Sequence, residues 1–454
     1  MADDEIRRPW SSSDRTIPRV VVRPLQEFLQ TSISSAVLLF AAVVVALVWA
    51  NVGGSYERFW HTPAELHMGN TIVGADLRFW VNDGLMTLFF LLVGVEIKRE
   101  FTTGELRRLR VAALPALAAV GGMVVPALVY VAVTSGDGDA ARGWGVPMAT
   151  DIALALGALA LAARHAPASL KPLLLTLAIV DDIGAIVVIA VFYSSGGEPA
   201  ALLVALGLIG VIALLQAGHV RSLLAYVVVG AGLWYATYEA GVHPTIAGVV
   251  LGLLTPSEPF QRPAAVSAEA RRTAEETRDD PDPPDADAPA WLELAALSKE
   301  AVSPLARVEH ALLPWSSFMI VPLFALANAG VQLSGEAIRG ALTGGVGVGI
   351  LLGLVLGKPV GILAASGLAT RVRLADRPST VGWVDLTGMG ATAGIGFTVA
   401  LFIAELAFPS HPELLAEAKV AILLASASAL VVGQILLRFG RPPQGSSLAE
   451  QATA

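Results

Sequence analysis

The chain has no cysteine and few charges. Lys, Arg, Asp and Glu make up only 15% of its 454 residues, where soluble domains average about 25%. Without cysteine there is no disulfide, no thiol nucleophile and no thiolate metal ligand. No phosphate-binding loop, dinucleotide fingerprint or zinc-ligand spacing occurs in the sequence, so nothing in it points to an ATP-driven pump, a resident cofactor or a nucleic-acid partner. Nor is a cleavable leader expected: about 30 residues precede the first apolar run, which reads as a true span.

What the chain has in abundance is apolar sequence, at 55% hydrophobic residues and a mean hydropathy of +0.66. Runs of about 20 apolar residues can cross the hydrocarbon of a bilayer as helices. Twelve are expected, near 32–51, 82–101, 111–134, 144–163, 171–193, 199–217, 222–238, 242–255, 314–332, 341–369, 382–407 and 412–437. The eighth is short, and its separation from the seventh rests on residues 239–241. An even number of spans places both termini on one side, and Lys and Arg say which. Eighteen lie on the same side as the termini, from Arg7, Arg8, Arg15, Arg19 and Arg23 through Lys98–Arg110 to Arg438 and Arg441. Only Arg58, Arg78, Arg142, Arg339 and Lys419 lie opposite. The termini are therefore expected in the cytoplasm, with residues 1–31 and 439–454 as tails around a membrane unit at 32–438. Residues 256–300 are expected as an acidic, Pro-rich cytoplasmic loop, because 261–290 hold eight acids against four arginines and such composition does not bury enough apolar surface to fold alone.

Four charges sit inside the apolar runs: Asp151 in MATDIALALGALAL, Asp181 and Asp182 in LLLTLAIVDDIGAIVVIAV, and Lys358 in GILLGLVLGKPVGILAAS. Each costs about 2.5–3.5 kcal/mol at the bilayer centre on insertion scales, and the usual reason for keeping one is an ion or proton path. Neighbours on a helix point about 100° apart, so Asp181 and Asp182 cannot face one ligand together. Lys358 is a partner for one of them. A purely structural salt-bridge cluster would leave two carboxylates uncompensated, and two buried carboxylates wanting a positive partner describe a cation or proton site.

Two spans carry helix-breaking residues. GWGVPMATDIALALG combines Gly143, Gly145 and Pro147 with Thr150 and Asp151, and VDLTGMGATAGIGFTVALF holds Gly388, Gly390, Gly394 and Gly396. Gly and Pro weaken helix continuity, and a pair of such spans in the two halves of a transporter marks a midplane binding site. An intramembrane aspartyl protease also uses two aspartates, but neither has a Gly-x-Gly-Asp context and Lys358 would go unexplained. A symporter for a small organic anion with sodium, on the same broken-helix architecture, would not need a lysine beside an aspartate pair.

The stretches FFLLVGVEIKRE (89–100), MATDIALALG (148–157), LAIVDDIGAI (177–186), GVHPTIAGV (241–249), PLFALANAGV (322–331), GKPVGI (357–362) and GIGFTVALFIAELAF (394–408) resemble the NhaA family of bacterial sodium/proton antiporters, itself a type case of the broken-helix rule. They fall in order across residues 25–438. The resemblance implies an all-α polytopic membrane protein of about twelve transmembrane helices, with inverted repeats and two discontinuous helices that cross. A core bundle would comprise about 111–193 and 341–437, and an interface bundle about 32–104 and 199–332. Asp151 and Asp182 would hold the transported Na+ or Li+, Thr150 would line the site, and Asp181 would pair with Lys358. The implied activity is electrogenic, pH-regulated extrusion of sodium or lithium for about two protons by alternating access. It would serve pH homeostasis in the bacterial inner membrane. Competition suffices for such exchange, because burial in a low dielectric disfavours a charged carboxylate and a proton and a sodium ion bind the same lone pairs. Glu96, Glu100, His243, Glu309 and His310 match the family's pH-responsive cluster, whereas Leu313 stands where a member can carry histidine. Glu96 and Glu100 could equally be snorkelling interfacial charges. The loop 60–80, with Gly69–Asn70 between short apolar runs, is expected as a hairpin, which in the family lies at a homodimer interface.

Overall fold

The structure is a computed structural model that describes residues 32–68, 71–162, 166–194, 196–220, 222–276 and 287–440. The two tails, the turn at 69–70 and the acidic run at 277–286 lie outside the described residues.

Among the described residues, eight helices are long and apolar enough to cross a membrane: α1 (Ser34–Asn51), α2 (Leu77–Thr102), α3 (Arg110–Val133), α6 (Leu170–Phe192), α7 (Pro199–Ala217), α12 (Pro304–Asn328), α13 (Gly345–Arg371) and α16 (Pro412–Arg438). Two bent pairs raise the number to ten. They are α4 (Gly138–Met148) with α5 (Ile152–Leu161), bent by 50°, and α14 (Trp383–Ala393) with α15 (Phe397–Ala407), bent by 47°. Where the seventh and eighth spans were expected lie α8 (Leu223–Glu239) and α9 (Thr245–Leu254), of 17 and 10 residues. The chain turns between them with Gly241 at φ 68°, a left-handed conformation that glycine adopts without a Cβ clash. The protein is an all-α polytopic membrane protein with two broken helices.

Two expected boundaries move, each for a local reason, and one expected loop is helical. The ninth span begins at Pro304 rather than 314, because Ser303 caps it by accepting the Ala306 N–H at 3.2 Å and proline occupies its first position. Glu309 and His310 therefore lie within this helix rather than before it. The second span begins at Leu77, where the Asp76 carboxylate accepts the Phe79 N–H at 2.8 Å. The acidic loop is a helical hairpin of α10 (Pro263–Glu276) and α11 (Ala288–Glu300). Its base is closed by backbone bonds from Leu305 to Pro256 (3.0 Å) and from Gln261 to Glu300 (3.1 Å). Average composition hid this because α10 buries only Val266 and Thr273, seven residues apart on one face.

Strands β1 (Leu66–Met68) and β2 (Thr71–Val73) pair antiparallel with Leu66 opposite Val73, the hairpin expected in the loop 60–80.

Contacts divide the chain into two compact units. One comprises Met1–Asn82, Leu109–Ile189 and Ser317–Ala454 and contains both bent pairs. Here α3 and α13 approach closely enough that a Cβ on Gly121 would meet the Gly361 carbonyl. Asn82 and Asn328 exchange side-chain amide bonds of 3.1 and 2.7 Å. The other unit, Asp83–Arg108 with Ala190–Ser316, packs α9 against α2 through Gly94, Gly248 and Gly252, whose missing side chains let backbone meet backbone. Residues 32–82 and 317–332 group with the unit that holds the broken helices.

One buried pair was not expected. Lys419, counted above only toward the charge opposite the termini, lies in α16 with its side chain 5% exposed, 2.7 Å from Glu405 near the C-terminal end of α15. Removing one member of a buried pair strands the other's charge at a cost of about 3–5 kcal/mol. Glu405→Gln or Lys419→Met alone should lower the thermal unfolding temperature in detergent, and the double variant should recover most of the loss. Additive losses would mean that the two charges do not act on one another.

Candidate functional site

The two breaks meet. Pro147 closes a tight 3-10 stretch, Arg142–Met148, after which Ala149 and Asp151 are extended. Asp151 then caps α5, its Oδ1 accepting the Leu154 N–H at 3.0 Å. In the partner pair α14 ends at Ala393 and α15 begins at Phe397. A Cβ on Gly396 would lie 2.5 Å from the Ala149 carbonyl, so only glycine permits the approach. Backbone groups freed by one break are satisfied at the other. The Asp151 N–H donates to Ile395 O at 2.7 Å. At Asp151 Oδ2 the Thr398 N–H and hydroxyl arrive at 3.1 and 2.7 Å. One carboxylate thus faces the positive N-terminal ends of two half-helices.

Beside this crossing stands α6. Asp181 is 1% exposed, and its Oδ2 lies 2.7 Å from Lys358 Nζ, with both side chains fully buried. The Thr150 hydroxyl lies 2.6 Å from the same oxygen and 3.0 Å from Ala393 O, and its one proton can go to either. Lys358 also donates to the Met148 carbonyl, at the end of the 3-10 stretch. A single π-helical turn, Gly353–Gly357, precedes Lys358; such turns are frequent at functional sites. The other oxygen of Asp181, Oδ1, is buried and accepts no hydrogen bond among the described residues. Asp182 is buried on the next position of α6, within electrostatic reach of Lys358.

The structure therefore gathers Thr150, Asp181 and Lys358 by direct bonds, places Asp151 at the same crossing and sets Asp182 alongside on α6. Among the described residues no three carboxylates or imidazoles gather as a metal cage; a cation here would be cargo, met by carboxylate, hydroxyl and carbonyl oxygens. Sequence reasoning missed Thr398 and the carbonyls of Met148, Ala393 and Ile395. The glycines flagged the break, but nothing in GIGFTVALF singles out its threonine.

The five residues suspected of pH response separate into two places. Glu309 pairs with Arg99, and both charges act on Glu96, as does Glu100. Glu100 is itself buried and accepts the Glu105 N–H at 3.0 Å, so it is not a snorkelling surface charge. His310 is exposed on α12. His243 lies at the start of α9, 3.7 Å from Asp83, and Asp83 is about 20 Å from Glu96 along α2 at about 1.5 Å per residue.

A family profile described as Na+/H+ antiporter 1 matches residues 26–437. A protein of Sorangium cellulosum named Na(+)/H(+) antiporter NhaA 2 is 47% identical over 451 residues, covering 97% of this chain and 96% of that one. One of the same name from Myxococcus xanthus is 45% identical over 452 residues, covering 96% and 95%. The Na(+)/H(+) antiporter NhaA of Escherichia coli O6:K15:H31 is 41% identical over 421 residues, covering 92% and 98%.

Proposed function

We propose that this chain, which belongs to the Na+/H+ antiporter 1 family, exchanges Na+ for H+ across the bacterial plasma membrane. The observation that carries the proposal is the buried Asp181–Lys358–Thr150 cluster at the crossing of two broken helices, with Asp182 alongside. An organic-anion symporter finds no support in the relatives' names, and the lysine beside an aspartate pair speaks against it.

Asp182 and Asp151 hold the transported cation, Na+ or Li+, and Thr150 lines its place. Without sodium, Asp182 keeps a proton. An arriving sodium ion takes the same oxygens and the proton leaves. Lys358 offsets Asp181, so the site near Asp182 carries no more negative charge than one small cation can answer. Exchange follows when this competition is exposed to one face of the membrane and then the other. Residues of about 111–193 and 341–437, which include the broken helices, act as the core bundle, and those of about 32–104 and 199–332 as the interface bundle. Competition at Asp182 moves one proton; a second proton, leaving another group of the same cluster, makes the exchange two protons for one sodium, so that each cycle carries a net positive charge inward. At about 2.3 kcal/mol per charge per 100 mV, the membrane potential then drives sodium out.

Orientation, regulation and assembly complete the proposal. The termini face the cytoplasm, as the basic residues indicate. The Glu96–Glu100–Arg99–Glu309 group with His310 responds to pH at that face, and His243 with Asp83 does so separately, histidine being suited to switching near neutrality. The β1–β2 hairpin joins two copies as a homodimer within lipid. Deleting 66–77 should shift the detergent-solubilised protein to monomer by light scattering on a sizing column, and a dimer unchanged by the deletion would move the interface elsewhere.

Everted vesicles from an antiporter-deficient host test the function. A pH-gradient dye should report collapse of the gradient on adding sodium or lithium. No response to either cation at any pH would remove the proposal.

A further inference from the structure

Both lone-pair positions of Asp151 Oδ2 are engaged by the protein, and one donor reaches Oδ1. Its Oδ1 accepts the Leu154 N–H, and its Oδ2 accepts the Thr398 N–H and hydroxyl. An ionised carboxylate has about two such positions on each oxygen, so a cation can take Oδ2 only if a donor withdraws. Two of the three donors are backbone N–H groups at the starts of α5 and α15, fixed by those helices. Only the Thr398 hydroxyl, on a buried side chain 4% exposed, turns about a single bond. When it turns, its proton leaves Oδ2 and its oxygen lone pairs face the vacated position, since a hydroxyl is both donor and acceptor.

Resting on the antiporter reading of the site, we propose that Thr398 is a ligand of the transported alkali cation: its hydroxyl swings from Asp151 Oδ2 to the ion as the ion binds, so that the ion gains a carboxylate oxygen and a hydroxyl oxygen in one step. No covalent bond changes and the hydroxyl keeps its proton. The same feature makes Thr398 a determinant of selectivity. Lithium and sodium differ in radius, and the swing sets how closely the hydroxyl oxygen can follow the ion.

The test uses the full-length protein in proteoliposomes, with sodium- and lithium-dependent exchange and equilibrium binding of radioactive sodium to the purified protein. Thr398→Val keeps the shape and removes the hydroxyl; Thr398→Ser keeps the hydroxyl. The expected result for Thr398→Val is an apparent KM for sodium raised about tenfold to a hundredfold, the range for losing one charge-assisted contact. A matching loss in binding, a smaller change in kcat and an altered lithium-to-sodium ratio should accompany it, while Thr398→Ser stays near wild type. A Thr398→Val protein with wild-type KM and binding would overturn the proposal. So would equal damage in Thr398→Ser, which would make the effect one of packing, or equal scaling of both cations, which would reduce Thr398 to holding Asp151. A wild-type protein that neither binds nor exchanges sodium would remove the antiporter reading, and this ligand with it.

Discussion

Asp182→Asn should abolish sodium-dependent proton movement while leaving the protein folded and inserted. An amide is nearly isosteric with the carboxylate, so the packing of α6 survives. What is lost is the charge and the exchangeable proton together. A cation about 4 Å from a unit negative charge gains about 4 kcal/mol at an effective dielectric near 20, roughly a thousandfold in affinity. The amide also cannot carry a proton in one half-cycle and release it in the other, so higher sodium should not rescue the variant. Exchange in everted vesicles, beside thermal unfolding of the purified protein, separates this loss from misfolding. Substantial exchange by Asp182→Asn would move the ion to another carboxylate, with Asp181 the next candidate through its open Oδ1.

Breaking the Asp181–Lys358 pair should injure stability first. Both side chains are fully buried and 2.7 Å apart, and removing one partner of such a pair costs about 3–5 kcal/mol. Lys358→Met leaves Asp181 uncompensated and frees the Met148 carbonyl at the end of α4, so it should be the more damaging single change. Asp181→Asn keeps an oxygen for the Thr150 hydroxyl and should retain part of the exchange that Asp182→Asn loses. The double variant Asp181→Asn with Lys358→Met should unfold closer to wild type than Lys358→Met alone, as read by thermal unfolding in detergent. Equal loss of exchange in Asp181→Asn and Asp182→Asn would contradict the division of roles between the two aspartates.

Much of this site was legible because the bilayer makes its chemistry conspicuous. A charge within 20 apolar residues has few bland explanations, so Asp151, Asp181, Asp182 and Lys358 stood out, and Gly394 with Gly396 announced a break. What stayed hidden depends on long-range contact. Thr398 is an ordinary residue of an apolar helix until the fold brings Asp151, 247 positions away, to its hydroxyl. Lys419 was counted only toward the charge opposite the termini, because Glu405, its partner, sits on the neighbouring helix across a turn. Local signals were there but misjudged elsewhere: Ser303-Pro304 is a helix start, ten residues before hydropathy rises enough to show one. The hairpin of α10 and α11 was obscured by averaging a one-faced helical pattern with the acidic run beside it.

The most direct measurement is sodium-driven proton movement in proteoliposomes of the purified wild-type protein, at controlled membrane potential and several pH values. The rate of exchange should follow the potential in the direction of net positive charge moving with the protons. The apparent KM for sodium should rise as pH falls, because protons then occupy the oxygens that sodium needs. Exchange indifferent to the potential, with a sodium KM independent of pH, would contradict both the stoichiometry and the shared carboxylate site.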